Sequence, residues 1–323
     1  MSNAPRLSAR VPPVAAGVRA AWSQVPRPAH DWLAGVLGSP VVESHAQLGG
    51  FSPGAAVRLV CADGSRAFAK AVSSSMNTDS VRMYRYEGRI VQALPAHPSV
   101  PRLLGSYDDG TWVVLAFEDV EGRQPRLPWQ ADELALVLDT VTELGELLDP
   151  NPVPDCYSLG AELAAMANLW QELAADPPTD LDPWLRQHLP DLVAWAQRPA
   201  PDGTALVHLD IRADNLLLTP SGDVCVLDWA NAGTGPGWLD PTYLMLEVQA
   251  HGGHDVERLL AEHPLTRTVD REDITWAVLA AAAMFEQRCR QPAPPGLPTI
   301  RPFQRAYAHT ATTWLRARLP TWP

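Results

Sequence analysis

Apolar positions along the chain fall into two regimes. From Val41 to Phe117 they form short runs set between turn residues, and beyond Asp132 they recur at helical spacing. The first regime predicts strands at Val41 to Leu48, Ala55 to Cys61, Arg66 to Val72, Val100 to Leu104 and Trp112 to Phe117, because runs of this length bounded by Gly, Asp and Pro read as strands. Asp63-Gly64 and Asp108-Asp109-Gly110 supply the turns. Gly49-Gly50-Phe51-Ser52-Pro53-Gly54 makes a glycine loop at the first turn of a three-strand meander. Between the third and fourth strands, Val81 to Leu94 carries Tyr84, Ile90, Val91 and Leu94 at helical spacing and stops at Pro95. Two short helical patterns, Val14 to Val25 and His30 to Leu37, precede the sheet, and residues 1 to about 12 are expected to be loose.

The second regime predicts helices over Asp132 to Leu148, Leu159 to Leu173, Asp182 to Gln197, Leu239 to Ala250, Val256 to Glu262, Arg271 to Arg290 and Arg301 to Leu319. It is interrupted once. Leu206-Val207, Leu216-Leu217-Leu218 and Val224 to Leu227 are strand-like runs around the Pro220-Ser221-Gly222-Asp223 turn, and Ala232 to Gly237 reads as a loop. Asp210, Asn215 and Asp228 then sit at strand and loop ends, at one edge of a hairpin. Oxygen-bearing side chains on a rigid frame suit Mg²⁺, which takes one or two protein oxygens and completes its shell with water and phosphate. His208-x-Asp210-x-x-x-x-Asn215 followed by Asp228 is the spacing of a phosphoryl-transfer loop, in which the first Asp takes the proton of the attacking hydroxyl while Asn and the later Asp hold metal. Each residue alone is common in turns; the whole spacing is not.

Charge narrows the partners. A formal net charge of -12 argues against nucleic acid or an anionic membrane surface and suits a cationic small molecule. The four cysteines, Cys61, Cys156, Cys225 and Cys289, lie too far apart for a zinc motif or a disulfide framework and are expected in the core of a reduced, cytoplasmic protein. The longest apolar run, near Ile274 to Phe285, is too short to span a bilayer, and Pro5, Pro12 and Pro13 break any signal-peptide pattern.

Val207-His208-Leu209-Asp210-Ile211-Arg212-Ala213-Asp214-Asn215-Leu216-Leu217-Leu218, with Val226-Leu227-Asp228-Trp229, resembles the aminoglycoside phosphotransferase family of kinase-like enzymes. Gly49 to Gly54 and Phe68-Ala69-Lys70-Ala71-Val72 resemble it too, and the likeness runs from about residue 40 onward. It implies an α+β, bilobal protein-kinase-like fold: an N-terminal lobe, residues 1–117, with an antiparallel sheet and a helix; a linker at 118–128; and a mainly helical C-terminal lobe, 129–323. It also implies roles. Gly50, Phe51, Ser52 and Lys70 would meet the phosphates of ATP or GTP, and Glu87 would pair with Lys70. Glu118 and Val120 would offer backbone groups to the purine, with Phe117 limiting the pocket's depth. Asn215 and Asp228 would hold Mg²⁺, Asp210 would act as base, and Asp240 would brace the loop from below. Arg212 either neutralises charge on the transferring phosphate or makes a structural ion pair with Asp214; His208 is expected to orient the loop. Leu209 stands where many relatives have glycine.

Only a short loop separates Asp228 from Asp240, with no Ala-Pro-Glu signature, which favours small-molecule over protein acceptors. The expected activity is transfer of a γ-phosphate to a hydroxyl of an antibiotic, by a monomer or homodimer. The alternatives are a kinase for choline, homoserine or a sugar, and a non-catalytic nucleotide-binding protein. Eight of the twelve tryptophans lie beyond residue 150, either as ring-stacking surfaces or as core. Asp270, Glu272, Asp273 and Glu286 are either partners for ammonium groups or solvated helix faces.

Overall fold

The structure is a computed structural model that describes residues 11–319; residues 1–10, most of the stretch read as loose, lie outside it. Helix α1 (Arg27–Leu37) is followed by strands β1 (Val41–Ala46), β2 (Ala55–Cys61) and β3 (Arg66–Ser73), helix α2 (Thr78–Ala93), and strands β4 (Leu103–Asp108) and β5 (Trp112–Glu118). The five strands form one antiparallel sheet in the order β1-β2-β3-β5-β4. Gly64, at φ 85°, takes the left-handed position of the β2–β3 turn that a side chain disfavours. The β4 strand begins later than the pattern predicts, since Pro101 carries no N–H for a ladder.

Alternation along the strands sends side chains to two different cores. Val57, Leu59, Ala69 and Ala116 pack under Leu33 of α1, while Val72, Val113, Leu115 and Phe117 join α2 and the C-terminal core. Asn77 caps α2 by accepting the Ser80 N–H at 2.8 Å. Gly88 lets that helix sit close on β5, where a Cβ would lie 2.9 Å from Leu115. The close approach brings the neighbouring Glu87 over β3.

Val14 to Val25 is a correction. It forms an extended strap with one short 3-10 turn at Trp22–Gln24, and Val14 and Val18 are exposed. Pro12, Pro13 and Gly17 disfavour the helix, and Ala16 instead bridges to Gly49 and Gly50.

The C-terminal part holds α3 (Ala131–Leu147), α4 (Leu159–Ala175), α5 (Pro183–Ala196), β6 (Ala205–Val207), β7 (Leu216–Leu218), β8 (Val224–Val226), β9 (Gly233–Gly235), α6 (Leu239–His251), α7 (Val256–Glu262), α8 (Arg271–Arg288) and α9 (Ile300–Arg318). Every predicted helix here is present within a few residues. Helix α8 is the centre: Ala277 and Ala280 to Ala283 are buried, so α4 and α9 approach it closely, and Trp170 of α4 donates to the Leu279 carbonyl at 3.0 Å. Burying a side chain of that size stabilises by roughly 2–3 kcal/mol. Trp170, Trp229, Trp276 and Trp314 are fully buried, so these four serve the core rather than a stacking surface. Among the described residues no helix is long and apolar enough to cross a membrane.

Two small ladders carry the chemistry. Strands β7 and β8 form the expected hairpin. Strand β6 instead pairs with β9, in the segment read as a loop. Glycines at both ends of β9 made it illegible as a strand, but Leu159 lies against both, leaving no room for a Cβ at Gly233.

Candidate active site

The loop between β6 and β7 is suspended from α6. Asp240, in the first turn of that helix, accepts the His208 N–H at 2.9 Å and the Leu209 N–H at 2.7 Å. Two turns further along the same face, both Glu247 carboxylate oxygens accept the Ala213 N–H at 3.1 Å. Leu209 is held at φ 68°, a left-handed backbone that explains glycine as the easier residue there. His208 is buried, which lowers its pKa and keeps the imidazole neutral. Its Nδ1 accepts the Asp210 N–H at 3.2 Å, so the proton sits on Nε2 and bonds the Leu227 carbonyl at 2.9 Å. His208 therefore orients the loop and is no base.

Asp210 faces Arg212 at 3.2 Å, and Arg212 also grips Asp214 with two bonds of 2.7 and 3.0 Å. The ion pair with Asp214 that the sequence allowed is present, and Arg212 also lies beside the Asp210 carboxylate. Asn215 donates to the Asp210 carbonyl at 2.9 Å and to its carboxylate at 3.1 Å. This commits the amide's donors to the loop and leaves its oxygen for another partner. Burial raises Asp210 to about 6, with Arg212 pulling it down and Asp214 pushing it up. A carboxylate near that value is ionised at neutral pH yet basic enough to take a hydroxyl proton.

Lys70 joins the two lobes. Its ammonium lies 2.8 and 2.9 Å from the Glu87 oxygens and 3.0 Å from Asp228. Burial works against its charge, but Asp228 and Glu87 outweigh this and raise the ammonium's pKa. For Asp228 burial raises and Lys70 lowers, and the net direction is down. Glu87 is not the exposed partner of Arg85, which binds Asp108 instead. Asp228 itself sits at φ 65°, the bend that aims its carboxylate away from β8.

No three His, Cys, Asp or Glu side chains gather into a metal cage among the described residues. Mg²⁺ needs none, since one carboxylate, one amide oxygen, water and phosphate satisfy it. Asn215 and Asp228 fit that donor set.

The phosphotransferase enzyme family model matches residues 57–282, which is most of the chain and includes every group just described. The chain belongs to the phosphotransferase enzyme family. No curated protein matches the sequence. Among solved structures, a thermostable mutant of aminoglycoside phosphotransferase APH(4)-Ia in ternary complex with AMP-PNP and hygromycin B shares 16% identity, covers 92% of this chain and 100% of that one, and superposes with a TM-score of 0.62. Aminoglycoside phosphotransferase from Alicyclobacillus acidocaldarius gives 18% identity, 86% and 91% coverage and a TM-score of 0.52. Choline kinase LicA from Streptococcus pneumoniae gives 13% identity, 88% and 98% coverage and a TM-score of 0.59. At these identities the likeness establishes the α+β, kinase-like fold.

In this phosphotransferase the glycine loop reaches down to the catalytic loop. Gly50 takes φ 87°, and the Phe51 ring packs edge-on against Phe303 of α9 at 4.9 Å, with the Arg212 guanidinium 5.6 and 4.8 Å from the two ring centres. Ser52 Oγ shares a hydrogen bond of 2.9 Å with Tyr84 OH. The N-terminal strap ties this loop down: Arg19 donates to the carbonyls of Gly49 and Gly54, and Ala16 bonds Thr299 through both its N–H and its carbonyl. Neither the strap contacts nor Phe303 is legible locally. Glu247 is, because it lies seven residues after Asp240 on one helix face.

The Glu118 N–H bonds the Arg102 carbonyl at 3.0 Å, completing the pairing at the end of β5. The Val120 carbonyl accepts from Arg58 at 3.0 Å. Three of the four acidic residues considered as ammonium partners have partners within the fold: exposed Asp270 caps α8, exposed Glu272 pairs with Arg198 at 2.6 Å, and buried Glu286 pairs with Arg290 at 2.7 Å.

Proposed function

We propose that this phosphotransferase moves the γ-phosphate of ATP or GTP to a hydroxyl of an antibiotic, of aminoglycoside type or another hydroxyl-rich class such as a nucleoside or macrolide, and so gives resistance. The observation that carries the reading is Lys70 held between Glu87 and Asp228 directly above a loop that presents Asp210. The net charge of -12 supports a cationic acceptor.

The nucleotide lies between the lobes, with backbone N–H groups of Gly50, Phe51 and Ser52 close to its phosphates. Lys70 holds the phosphates, and Glu87 holds Lys70. The purine edge meets the Glu118 carbonyl and the Val120 N–H, behind Phe117. Asn215 and Asp228 would hold Mg²⁺, which when bound would neutralise phosphate charge. Asp210 aligns the acceptor hydroxyl and takes its proton as the oxygen bonds the γ-phosphorus and the bond to the β-phosphate oxygen breaks. Proton removal of this kind is worth ~10²- to 10⁴-fold, and alignment adds to it. Arg212, two residues beyond the base, balances negative charge on the transferring group.

The test is Mg²⁺-dependent release of nucleoside diphosphate from ATP and GTP against aminoglycosides, nucleoside antibiotics, macrolides, choline and homoserine, with the phosphorylated product identified by mass. Turnover with one antibiotic class, abolished in Asp210→Ala while nucleotide still binds, is the expected result. Turnover with choline or homoserine alone would move the enzyme to primary metabolism.

A further inference from the structure

We infer that Arg58 makes this enzyme discriminate for adenine against guanine nucleotides; the assignment rests on reading Glu118 to Val120 as the purine-binding segment. Arg58 lies on β2 opposite Phe68, two pairs along from Ala56 opposite Lys70, so Arg58, Phe68 and Lys70 share the sheet face that looks into the cleft. Phe68 in turn pairs with Phe117, the residue before the segment. From there the Arg58 guanidinium crosses to the segment and donates to the Val120 carbonyl at 3.0 Å.

Its position is built rather than incidental. The Asp119 carboxylate, with only 4% of its side chain exposed, sits 3.3 Å from Arg58 and 2.7 Å from Arg66. Two strand arginines thus clasp one buried acid, which fixes the direction of the Arg58 fork.

The consequence follows from the edges of the two purines. On that reading the segment offers, in order, the Glu118 carbonyl, the Val120 N–H and the Val120 carbonyl, the last already bonded to Arg58. Adenine needs only the first two: its amino group donates to Glu118 and its N1 accepts from Val120. Guanine has a carbonyl at that edge beside an N–H and an amino group, so it must slide along, set its O6 on the Val120 N–H and give its N–H donors to the Val120 carbonyl. Arg58 already donates to that carbonyl and stands beside it as a cation. That leaves one of the carbonyl's two lone pairs for guanine's two donors, and the donor left without a partner costs on the order of a tenfold loss in affinity or more. Adenine's two bonds are untouched.

The experiment is calorimetric titration of the full chain with Mg-ADP and with Mg-GDP, which needs no acceptor. The wild type should bind ADP at least about tenfold more tightly, and Arg58→Met, which keeps the stem and removes the donor, should narrow that ratio about tenfold, chiefly through tighter GDP binding. Asp119→Asn, which loosens the clasp without removing Arg58, should narrow it less and serves if Arg58→Met does not fold. Equal binding of the two nucleotides by the wild type, or a ratio that neither variant moves, overturns the role of Arg58. Binding of neither nucleotide by the wild type removes the purine-segment reading, and the assignment falls with it.

Discussion

Asp240→Asn probes how the catalytic loop is held. The wild-type carboxylate accepts two buried backbone N–H groups, from His208 at 2.9 Å and Leu209 at 2.7 Å. Asparagine keeps one oxygen and turns an NH₂ toward the other N–H, so one charge-assisted bond is lost and one buried donor is orphaned, costing about 2 kcal/mol. The Leu209 φ of 68° costs a leucine about 1–2 kcal/mol in wild type and variant alike, a strain the loop sheds by leaving that conformation. Both terms favour opening. At 1.4 kcal/mol per factor of ten, the first alone speeds hydrogen exchange at the His208 and Leu209 amides about 30-fold. Asp210 follows directly in the chain, and a shift of about 1 Å in a catalytic group costs ~10²-fold in rate. Lys70, Glu87 and Asp228 make no bond to Asp240, so nucleotide affinity should hold within about threefold, a difference below 0.7 kcal/mol. Exchange measured by mass spectrometry, beside nucleotide titration, checks both halves. Unchanged exchange at the two amides in a folded variant would refute the suspension argument.

Burial sets the Asp210 pKa at about 6 in the nucleotide-free protein, and the base works ionised, so kcat/KM should fall about tenfold per unit as pH drops below that value; a flat profile between pH 5 and 8 would exclude Asp210 as the titrating base. Burial likewise raises Glu247 to about 8, above the unfolded carboxyl, so the folded state keeps a proton that the unfolded chain releases and stability falls as pH rises toward 8. Glu247→Gln cannot ionise, and its urea midpoint should depend less steeply on pH across that window; parallel slopes would contradict the assignment. Arg19→Ala removes the guanidinium from the Gly49 and Gly54 carbonyls, and at about 1 kcal/mol per bond nucleotide affinity should weaken about fivefold for one bond and up to about 30-fold for both, with faster exchange across Gly50 to Gly54. Asp228→Ala should weaken binding of the Mg-nucleotide yet leave binding of the metal-free nucleotide equal or tighter, and a loss of equal size in both would count against Asp228 as a metal ligand.

What was legible in the sequence is what short spacing encodes. His208, Asp210, Asn215 and Asp228 lie within one hairpin, and its turn chemistry places them without help from distant residues. Lys70 and Glu87 lie seventeen residues apart, on a strand and on the helix that follows it, so register alone brings them together. The apolar residues of the strap mimic a helix period, while its real partners, Gly49 and Thr299, lie far away in the chain. Strand β9 was missed for a related reason: glycine carries no strand signal, and the reason for glycine there is Leu159, more than seventy residues earlier. Arg58 reads as an ordinary polar position in a strand, and only the path of the chain at Val120, 62 residues on, gives it a partner.

Charge explains why these groups tolerate one another. Glu87, Asp210, Asp214 and Asp228 set four carboxylates against two cations, Lys70 and Arg212, in one partly buried region. Burial pushes Asp210 up and its neighbours Asp214 and Asp228 add to that, while Asp228, touching Lys70, is held down against the same burial. A nucleoside triphosphate adds further negative charge to this excess, and Lys70 cannot serve the phosphates and both carboxylates equally. The balance supports a divalent cation between Asn215, Asp228 and the phosphates, because such an ion offsets the carboxylate excess and frees the Lys70 ammonium for the nucleotide. It is also why truncating Asp228 should act with opposite sign on the two forms of the nucleotide. For the metal-free form Asp228 is a repelling charge that also holds back Lys70; for the magnesium form, on the proposed reading, it is the ligand.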